Sequence, residues 1–183
     1  AHIGHHNSVH RFKDLGIDVY LGKASFAGPA RVEVNGAVLD FGRAVIATGA
    51  RTLEPDIAGL TEGSYFTNED IFPLTDRPRR IVVIGGCPIG CELAQPFQRL
   101  SSEVSLLTHG SCILPKEDQE AGEIVHRHMK RDGVKVLVKT ELTRLESRGG
   151  EKNLTFVLDG REEQFLCDAL PVGAGRSPNV EGL

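Results

Sequence analysis

The fold of this chain is decided by the stretch IVVIGGCPIGCE, residues 81–92. Its first four residues, Ile81–Ile84, are β-branched and apolar, which predicts a strand buried on both faces. A glycine-rich turn follows, and the pattern of Pro88–Leu100 predicts a helix with proline at its first position. The N-terminus of such a helix favours a bound phosphate through its unpaired N–H groups and its dipole.

The turn matches the dinucleotide-binding fingerprint G-x-G-x-x-G at two of its three glycines. The first glycine permits the tight turn, the second lets the backbone approach the pyrophosphate, and the third allows close helix–strand packing. Gly85 and Gly90 occupy the first and third positions, whereas Cys87 stands at the second. The turn is therefore either a nucleotide site or purely structural. We expect Cys87 to weaken dinucleotide binding by about 1–3 kcal/mol, as small overpacking changes do.

The residues after the second predicted strand bear on the choice of dinucleotide. A carboxylate about 20 residues after the fingerprint would bond the ribose hydroxyls of NAD. The sequence there is Thr108-His109-Gly110-Ser111, with neither a carboxylate nor an arginine. Thr108, His109 and Ser111 either donate hydrogen bonds to the 2′-phosphate of NADP or form an ordinary polar loop. The first interpretation favours NADP.

Strands and helices alternate through the middle of the chain. Lys116–Asp132 predicts a second helix, because Pro115 precedes it, acidic residues fill its first turn and Gly133 follows it. Glu103–Leu107 and Val134–Val138 predict the flanking strands. The β-α-β-α-β order predicts an α/β fold with a Rossmann-like parallel sheet and right-handed crossovers.

Both flanks of this unit carry shorter predicted elements. Upstream we expect a short polar helix, an antiparallel β-meander with a hairpin turn at Asn35-Gly36, and one buried apolar strand. These elements span 6–15, Ile17–Leu21, Arg31–Val34, Val38–Phe41 and Arg43–Thr48. Downstream, the predicted antiparallel strands and a final apolar run are Glu141–Glu146, Leu154–Leu158, Glu163–Leu166 and Ala169–Val172.

Composition excludes several classes of function. The 21 Lys and Arg against 25 Asp and Glu give a net charge of −4, which disfavours a nucleic-acid binder. No apolar run reaches the roughly 18 residues of a membrane span. The four cysteines lack zinc spacing, so we expect a reduced, cytoplasmic setting. His2, His5, His6 and His10 either gather on a metal or lie in a solvated end, and we expect no metal site.

Two further residues depart from an ordinary fingerprint helix. Cys91 forms a C-x3-C pair with Cys87 at a helix start, so the two are either a redox pair or small packing residues. Pro96 lies inside the predicted helix, where it removes the hydrogen bond to the Glu92 carbonyl at a cost of roughly 3 kcal/mol. We expect Pro96 to kink the helix.

Four ordered motifs give the chain a resemblance to a known family. They are RAVIATGA at 43–50, FTNEDIF at 66–72, IVVIGGCPIGCELAQPF at 81–97 and VGAGRSPNVEGL at 172–183. With them the chain resembles the middle of a pyridine nucleotide–disulfide oxidoreductase, of the mercuric-reductase-like and dihydrolipoamide-dehydrogenase-like branch. The resemblance covers nearly the whole chain and implies an NAD(P) domain inserted into an FAD domain.

The resemblance also implies the organisation of the chain and its cofactor sites. Residues 1–50 would be part of the FAD domain, 51–74 a linker, 75–150 the NAD(P)-binding domain, and 151–183 antiparallel strands that return to the FAD domain. The positions implied for NAD(P) are Gly85, Gly86, Cys87, Pro88, Ile89, Gly90, Glu92, Thr108, His109, Gly173 and Gly175, with Arg176 and Pro178 completing the late turn. Those implied for FAD are Ala47, Thr48 and Gly49. No catalytic residue and no metal ligand is implied within the chain.

The activity implied by the resemblance is hydride transfer from NAD(P)H to flavin and then to a disulfide or metal-ion acceptor. The resemblance places the FAD fingerprint and a redox C-x4-C pair upstream of residue 1, and a dimerisation domain beyond Leu183. We therefore expect a fragment of a homodimeric enzyme that is inactive alone and binds only small-molecule cofactors, not nucleic acid or membrane. The alternative is a non-catalytic Rossmann-like module or pseudoenzyme. A free-standing NADP reductase is disfavoured by the missing elements.

Overall fold

The computed structural model describes residues 8–53, 55–60, 65–149 and 151–183. The chain divides into two compact units, one of Ala1–Gly49 with Pro178–Leu183 and one of Ala50–Ser177. Among the described residues, no helix has the length and apolar character needed to cross a membrane. His10 is described, whereas His2, His5 and His6 lie outside the described residues.

The first unit consists of a short helix and a three-stranded antiparallel sheet. Helix α1, Val9–Asp14, is capped by the Ser8 hydroxyl, which accepts a hydrogen bond from the Arg11 N–H. The sheet has the order β1-β2-β3, with strands Ala24–Gly28, Arg31–Val34 and Ala37–Asp40. The hairpin turn predicted between β2 and β3 is confirmed, because Asn35 and Gly36 both have positive φ, 50° and 82°.

Two strand predictions in this unit are wrong. Ile17–Leu21 forms no strand, and the first strand of the meander is Ala24–Gly28 instead. Arg43–Thr48 also forms no strand, and Val45 is 91% exposed. An apolar run becomes a buried strand only where a neighbouring strand accepts its backbone hydrogen bonds. Within the described part of this unit, no strand lies beside either run.

The second unit is built on the parallel sheet that the sequence predicts. The elements in chain order are β5 Arg80–Ile84, α2 Pro88–Arg99, β6 Glu103–Leu107, α3 Gln119–Asp132 and β7 Lys135–Leu137. The three strands pair in parallel in the order β5-β6-β7. On the free edge of β5, residues 169–172 add a parallel segment through bridges from Ile81 to Ala169 and from Ile84 to Val172.

Helix α3 begins three residues later than the sequence predicts. The Asp118 carboxylate accepts a hydrogen bond from the Ala121 N–H at 3.1 Å and caps the helix, so Lys116 precedes it. Pro115 marks a turn, in which the Glu117 N–H donates to the Leu114 carbonyl. The predicted end is confirmed, because Gly133 adopts a left-handed φ of 100° as the C-cap.

Antiparallel strands complete the second unit. Strands β8 Glu141–Arg148, β9 Glu151–Leu158 and β10 Arg161–Cys167 form one sheet in the order β10-β9-β8. A separate two-stranded sheet joins β4 Ala50–Thr52 to β11 Arg176–Pro178.

Strand β5 divides the core of this unit into two layers. Val82 and Ile84 pack with Phe156 of the antiparallel sheet in one cluster. Ile81 and Val83 alternate with them and join a second cluster with residues of α2 and α3, such as Ala94 and Met129. All four strand residues are buried, so the predicted burial on both faces is confirmed.

Candidate functional site

Two glycine turns meet at the carboxyl edge of the parallel sheet. We call residues 85–90 the fingerprint turn and residues 173–175 the late turn. The Gly85 N–H donates to the Leu107 carbonyl at 2.8 Å, and the Gly173 N–H donates to the Ile84 carbonyl at 2.6 Å. The backbone of β5 and β6 therefore fixes both turns at one place, although 80 or more residues separate them in the sequence.

The turns are packed so tightly that no Cβ fits at Gly85 or at Gly90. A Cβ added at Gly85 would lie 2.1 Å from the Gly173 carbonyl oxygen, and the Gly85 φ of 106° disfavours any other residue. A Cβ added at Gly90 would lie 2.0 Å from the Gly85 carbonyl oxygen. Gly90 thus permits the approach of α2 to the end of β5, which is the packing role expected of the third fingerprint glycine.

Helix α2 begins at this junction with Cys87 as its N-cap and Pro88 at its first position. The Cys87 side chain makes no capping hydrogen bond to the helix. Instead its Sγ donates to the carbonyl oxygen of Gly173 at 3.0 Å. The residue at the second fingerprint position therefore connects the fingerprint turn to the late turn.

The Cys91 side chain packs against the fingerprint turn at the start of α2. Its side chain is buried, and Sγ lies 4.0 Å from the Gly86 carbonyl oxygen. Burial, with smaller contributions from Cys87 and Glu92, raises the pKa of Cys91 to about 11. A thiol with that pKa stays protonated at neutral pH and is a poor nucleophile. Of the two alternatives for the C-x3-C pair, the structure favours packing.

The polar residues after β6 occupy two different environments. Thr108 is buried beneath the fingerprint turn, where a Cβ added at Gly86 would lie 3.1 Å from its Oγ1. His109 and Ser111 are exposed. Of the three predicted phosphate donors, His109 and Ser111 are therefore the two with exposed side chains. Beyond them, residues 111–126 line a cavity of about 580 Å³, with Ser111 on its wall.

Glu92 and Pro96, both in α2, line a separate groove. Together with Phe97 and with Ile71 and Phe72 from the preceding segment, they line a groove of about 410 Å³. The helix continues without a break through Pro96 to Arg99, so the proline does not end it.

The predicted flavin-side residues lie in the first unit. Ala47, Thr48 and Gly49 form a segment outside the strands, and Asn179 holds it. The Asn179 N–H donates to the Gly49 carbonyl at 3.0 Å, and its side-chain amide donates to the Thr48 carbonyl at 3.1 Å. The Thr48 hydroxyl in turn donates to the Asn179 carbonyl.

Sequence reasoning missed two contacts in these sites. Asn179 is not among the residues that the sequence predicts for the site, and its position four residues after Gly175 gives no signal of its contact with Thr48 and Gly49. The contact of the Leu114 N–H with the Gly86 carbonyl, at 2.6 Å, carries no signal in the sequence. Among the described residues, no group of three or more His, Cys, Asp or Glu could hold a metal ion.

Known proteins with the same features confirm the resemblance. The family described as pyridine nucleotide-disulphide oxidoreductase matches residues 5–183. A mercuric reductase from Lysinibacillus sphaericus is 35% identical over 93% of this chain and 31% of its own length. A dihydrolipoyl dehydrogenase from Acholeplasma laidlawii is 31% identical over 93% of this chain and 51% of its own length.

Solved structures agree with the sequence comparison. The HOCl-induced flavoprotein disulfide reductase RclA from Escherichia coli superimposes with a TM-score of 0.79 at 26% identity, covering 95% of this chain and 40% of that protein. The chain spans about a third of the length of the mercuric reductases that it matches. Since the family match extends over nearly all of its residues, the chain belongs to the pyridine nucleotide-disulphide oxidoreductase family.

Proposed function

We propose that the chain is the NAD(P)H-binding region of an FAD-dependent pyridine nucleotide–disulphide oxidoreductase. The observation that carries the proposal is the junction of two glycine turns, whose close packing places the N-terminus of α2 at the carboxyl end of β5. The unpaired N–H groups and the dipole of a helix that starts at this position favour a pyrophosphate. In this proposal residues 1–50 are part of the FAD domain, 51–74 the linker, 75–150 the NAD(P)-binding domain, and 151–183 the antiparallel strands and the return to the FAD domain.

The donors for the pyrophosphate come from the first turn of α2. Pro88 has no N–H group, so the backbone N–H groups of Cys87, Ile89 and Gly90 remain as donors at this helix end. Late-turn Gly173 and Gly175 flank the same place. The chemistry that the bound cofactors would supply is hydride transfer from NAD(P)H to flavin, and onward to a disulfide or metal-ion acceptor.

Two side-chain regions would complete the cofactor sites. Glu92 lies further along α2, at the groove it shares with Pro96, and would be near the nicotinamide. Thr48 and Gly49, held by Asn179, would contact the flavin with Ala47.

We propose NADP as the preferred dinucleotide. No carboxylate follows β6, and the exposed residues there are His109 and Ser111. Both side chains can donate hydrogen bonds to a 2′-phosphate, whereas neither imposes the charge repulsion that an acidic residue would.

The complete enzyme would be a homodimer of which this chain supplies one region, and we expect no turnover from the chain alone. The four cysteines are all free, which fits a reducing compartment such as the cytoplasm.

A second candidate function is a non-catalytic dinucleotide-binding module or pseudoenzyme. The observation that favours it is Cys87, whose side chain stands where the fingerprint has glycine and contacts Gly173. On this alternative the chain keeps the fold but binds the dinucleotide weakly or not at all.

Thermal-shift titration with NADPH and NADH tests the proposal and its dinucleotide preference. A ligand at 100 times its Kd stabilises the folded chain by about 2.7 kcal/mol. We expect a larger shift with NADPH in the wild type, and loss of that preference in His109→Asp. His128→Asp places the same charge on the exposed face of α3 and should leave the preference unchanged. No shift with either dinucleotide, in the wild type and in Cys87→Gly, would support the non-catalytic module.

A further inference from the structure

We propose that Cys87 is a thiol latch, which holds the fingerprint turn against the late turn and must open before a dinucleotide binds. The inference rests on the proposed function, because it concerns access to the same site. It goes beyond that function by assigning the control of affinity to one hydrogen bond, from Cys87 Sγ to the Gly173 carbonyl oxygen at 3.0 Å.

The position of the sulfur makes the bond relevant to the ligand. Cys87 is the N-cap of α2, so its side chain starts at the helix end that presents N–H groups to a phosphate. The side chain turns away from those N–H groups and makes no cap. It therefore bridges the space between two backbone turns, which is the space that the second fingerprint glycine normally leaves open to the pyrophosphate.

The surrounding backbone makes this contact a specific one. Gly173 is fixed by its N–H bond to Ile84 at 2.6 Å, and a Cβ added to Gly173 would lie 3.1 Å from the Gly90 nitrogen and 3.5 Å from Cys87 Sγ. The late turn is thus anchored by β5 at Gly173 and by the Leu53 N–H, which donates to the Gly175 carbonyl at 2.9 Å, while the thiol holds the Gly173 carbonyl against α2. Breaking the thiol bond leaves both backbone anchors in place, so the sheet remains intact while the Gly173 carbonyl is released from α2.

The bond is weak enough to be displaced by a ligand. A thiol is a poor donor, and bonds of this class contribute little individually. Charge-assisted bonds from backbone N–H groups to phosphate oxygens are stronger. The latch therefore reduces the apparent affinity to the intrinsic affinity multiplied by the fraction of molecules in which the latch is open, without abolishing the site.

Two substitutions separate the latch from simple steric exclusion. Cys87→Ala keeps the Cβ and removes the thiol, whereas Cys87→Gly removes both. If the latch controls affinity, Cys87→Ala binds NADPH about 2- to 5-fold more tightly than the wild type, the range expected for one weak hydrogen bond. Thr143→Ala removes a side-chain bond to a carbonyl oxygen elsewhere, the one from Thr143 to Thr155 between β8 and β9, and should bind as the wild type does.

A second readout distinguishes a latch from a merely structural contact. In the ligand-free protein, hydrogen exchange of residues 173–175 should accelerate in Cys87→Ala, while the amides of β6 should exchange as in the wild type. Faster exchange of the late turn together with tighter NADPH binding is the expected pair of results. A structural contact alone would give faster exchange with unchanged or weaker binding, which would overturn the latch.

Two further outcomes also test the latch and the proposed function. Tighter binding only in Cys87→Gly assigns the effect to the Cβ, overturning the latch but preserving the proposed function. Failure of the wild type and both variants to bind NADPH or NADH, measured by calorimetry, overturns the latch and the proposed function together.

Discussion

Replacing Gly90 by alanine tests whether the fingerprint turn is as closely packed as its geometry indicates. Alanine is favoured over glycine in a helix interior by about 0.5–1 kcal/mol, so a helical glycine with free space around it should tolerate the change. At Gly90 the new Cβ would lie 2.0 Å from the Gly85 carbonyl oxygen, and the obstacle is backbone rather than a flexible side chain.

Gly122 in α3 supplies the matched control. It is also a buried helical glycine, but a Cβ there would lie 3.5 Å from the Ile113 carbonyl oxygen, which is ordinary van der Waals contact. We expect Gly122→Ala to gain stability by up to about 1 kcal/mol from helix propensity. For a chain of this size that gain raises Tm by roughly 2–4 °C.

The expected loss at Gly90 follows from subtracting that gain from the cost of overpacking. Overpacking costs typically about 1–3 kcal/mol, and a contact of 2.0 Å with backbone belongs at the upper end. The net destabilisation of Gly90→Ala is then about 2 kcal/mol, or a Tm roughly 4–8 °C lower than the wild type. The two alanine variants should therefore move Tm in opposite directions.

Thermal and urea unfolding followed by circular dichroism measure both variants under the same conditions. A Gly90→Ala variant as stable as the wild type would refute the close approach of α2 to β5. If Gly122→Ala were also destabilised, the helix-propensity argument would be wrong for this chain.

Three further predictions concern charge, thiols and capping. Hydrogen bonds from Arg80 lower the pKa of Asp168, so its contribution to the free energy of unfolding is full above about pH 4 and declines as the pH falls below that. Asp168→Asn should reduce this decline, measured by urea unfolding at a series of pH values. Burial raises the pKa of Cys91 and Cys167 to about 11, so Ellman's reagent should modify two of the four thiols before unfolding and four after it. Asp118→Ala should cost about 1 kcal/mol in unfolding free energy, and an unchanged value would exclude its capping role.

The parallel sheet could be predicted from sequence because its signals are local. The run Ile81–Ile84 is apolar at every position, and the following glycines end it within a few residues. Burial of each strand residue then follows from layers on both faces, and the structure has them. Gly133 was predictable for the same reason, since a helix C-cap depends on neighbouring residues alone.

The secondary-structure predictions are wrong where an element depends on a neighbouring strand or on a capping side chain. Arg43–Thr48 contains a run of four apolar residues, as β5 does, yet it forms no strand, because strand formation requires pairing that the run itself does not encode. The sequence predicts that α3 begins directly after Pro115, whereas the capping side chain of Asp118 determines where the helix begins.

The principal contact of the candidate site was also beyond sequence reasoning. Cys87 could be identified as a departure from the fingerprint, but its bond to Gly173 spans 86 residues. Only the order of strands in the sheet brings those residues together.

Strand order also has a consequence for the synthesis of the protein on the ribosome. One edge of β5 is paired by residues 169–172, whose carbonyl groups accept from the Val82 and Ile84 N–H groups. A nascent chain that ends before this segment has β5, both helices and β6 but exposes an apolar strand edge. Such an edge is a template for pairing with other chains. The last segment of the sheet to be synthesised is thus the one that covers this edge of β5.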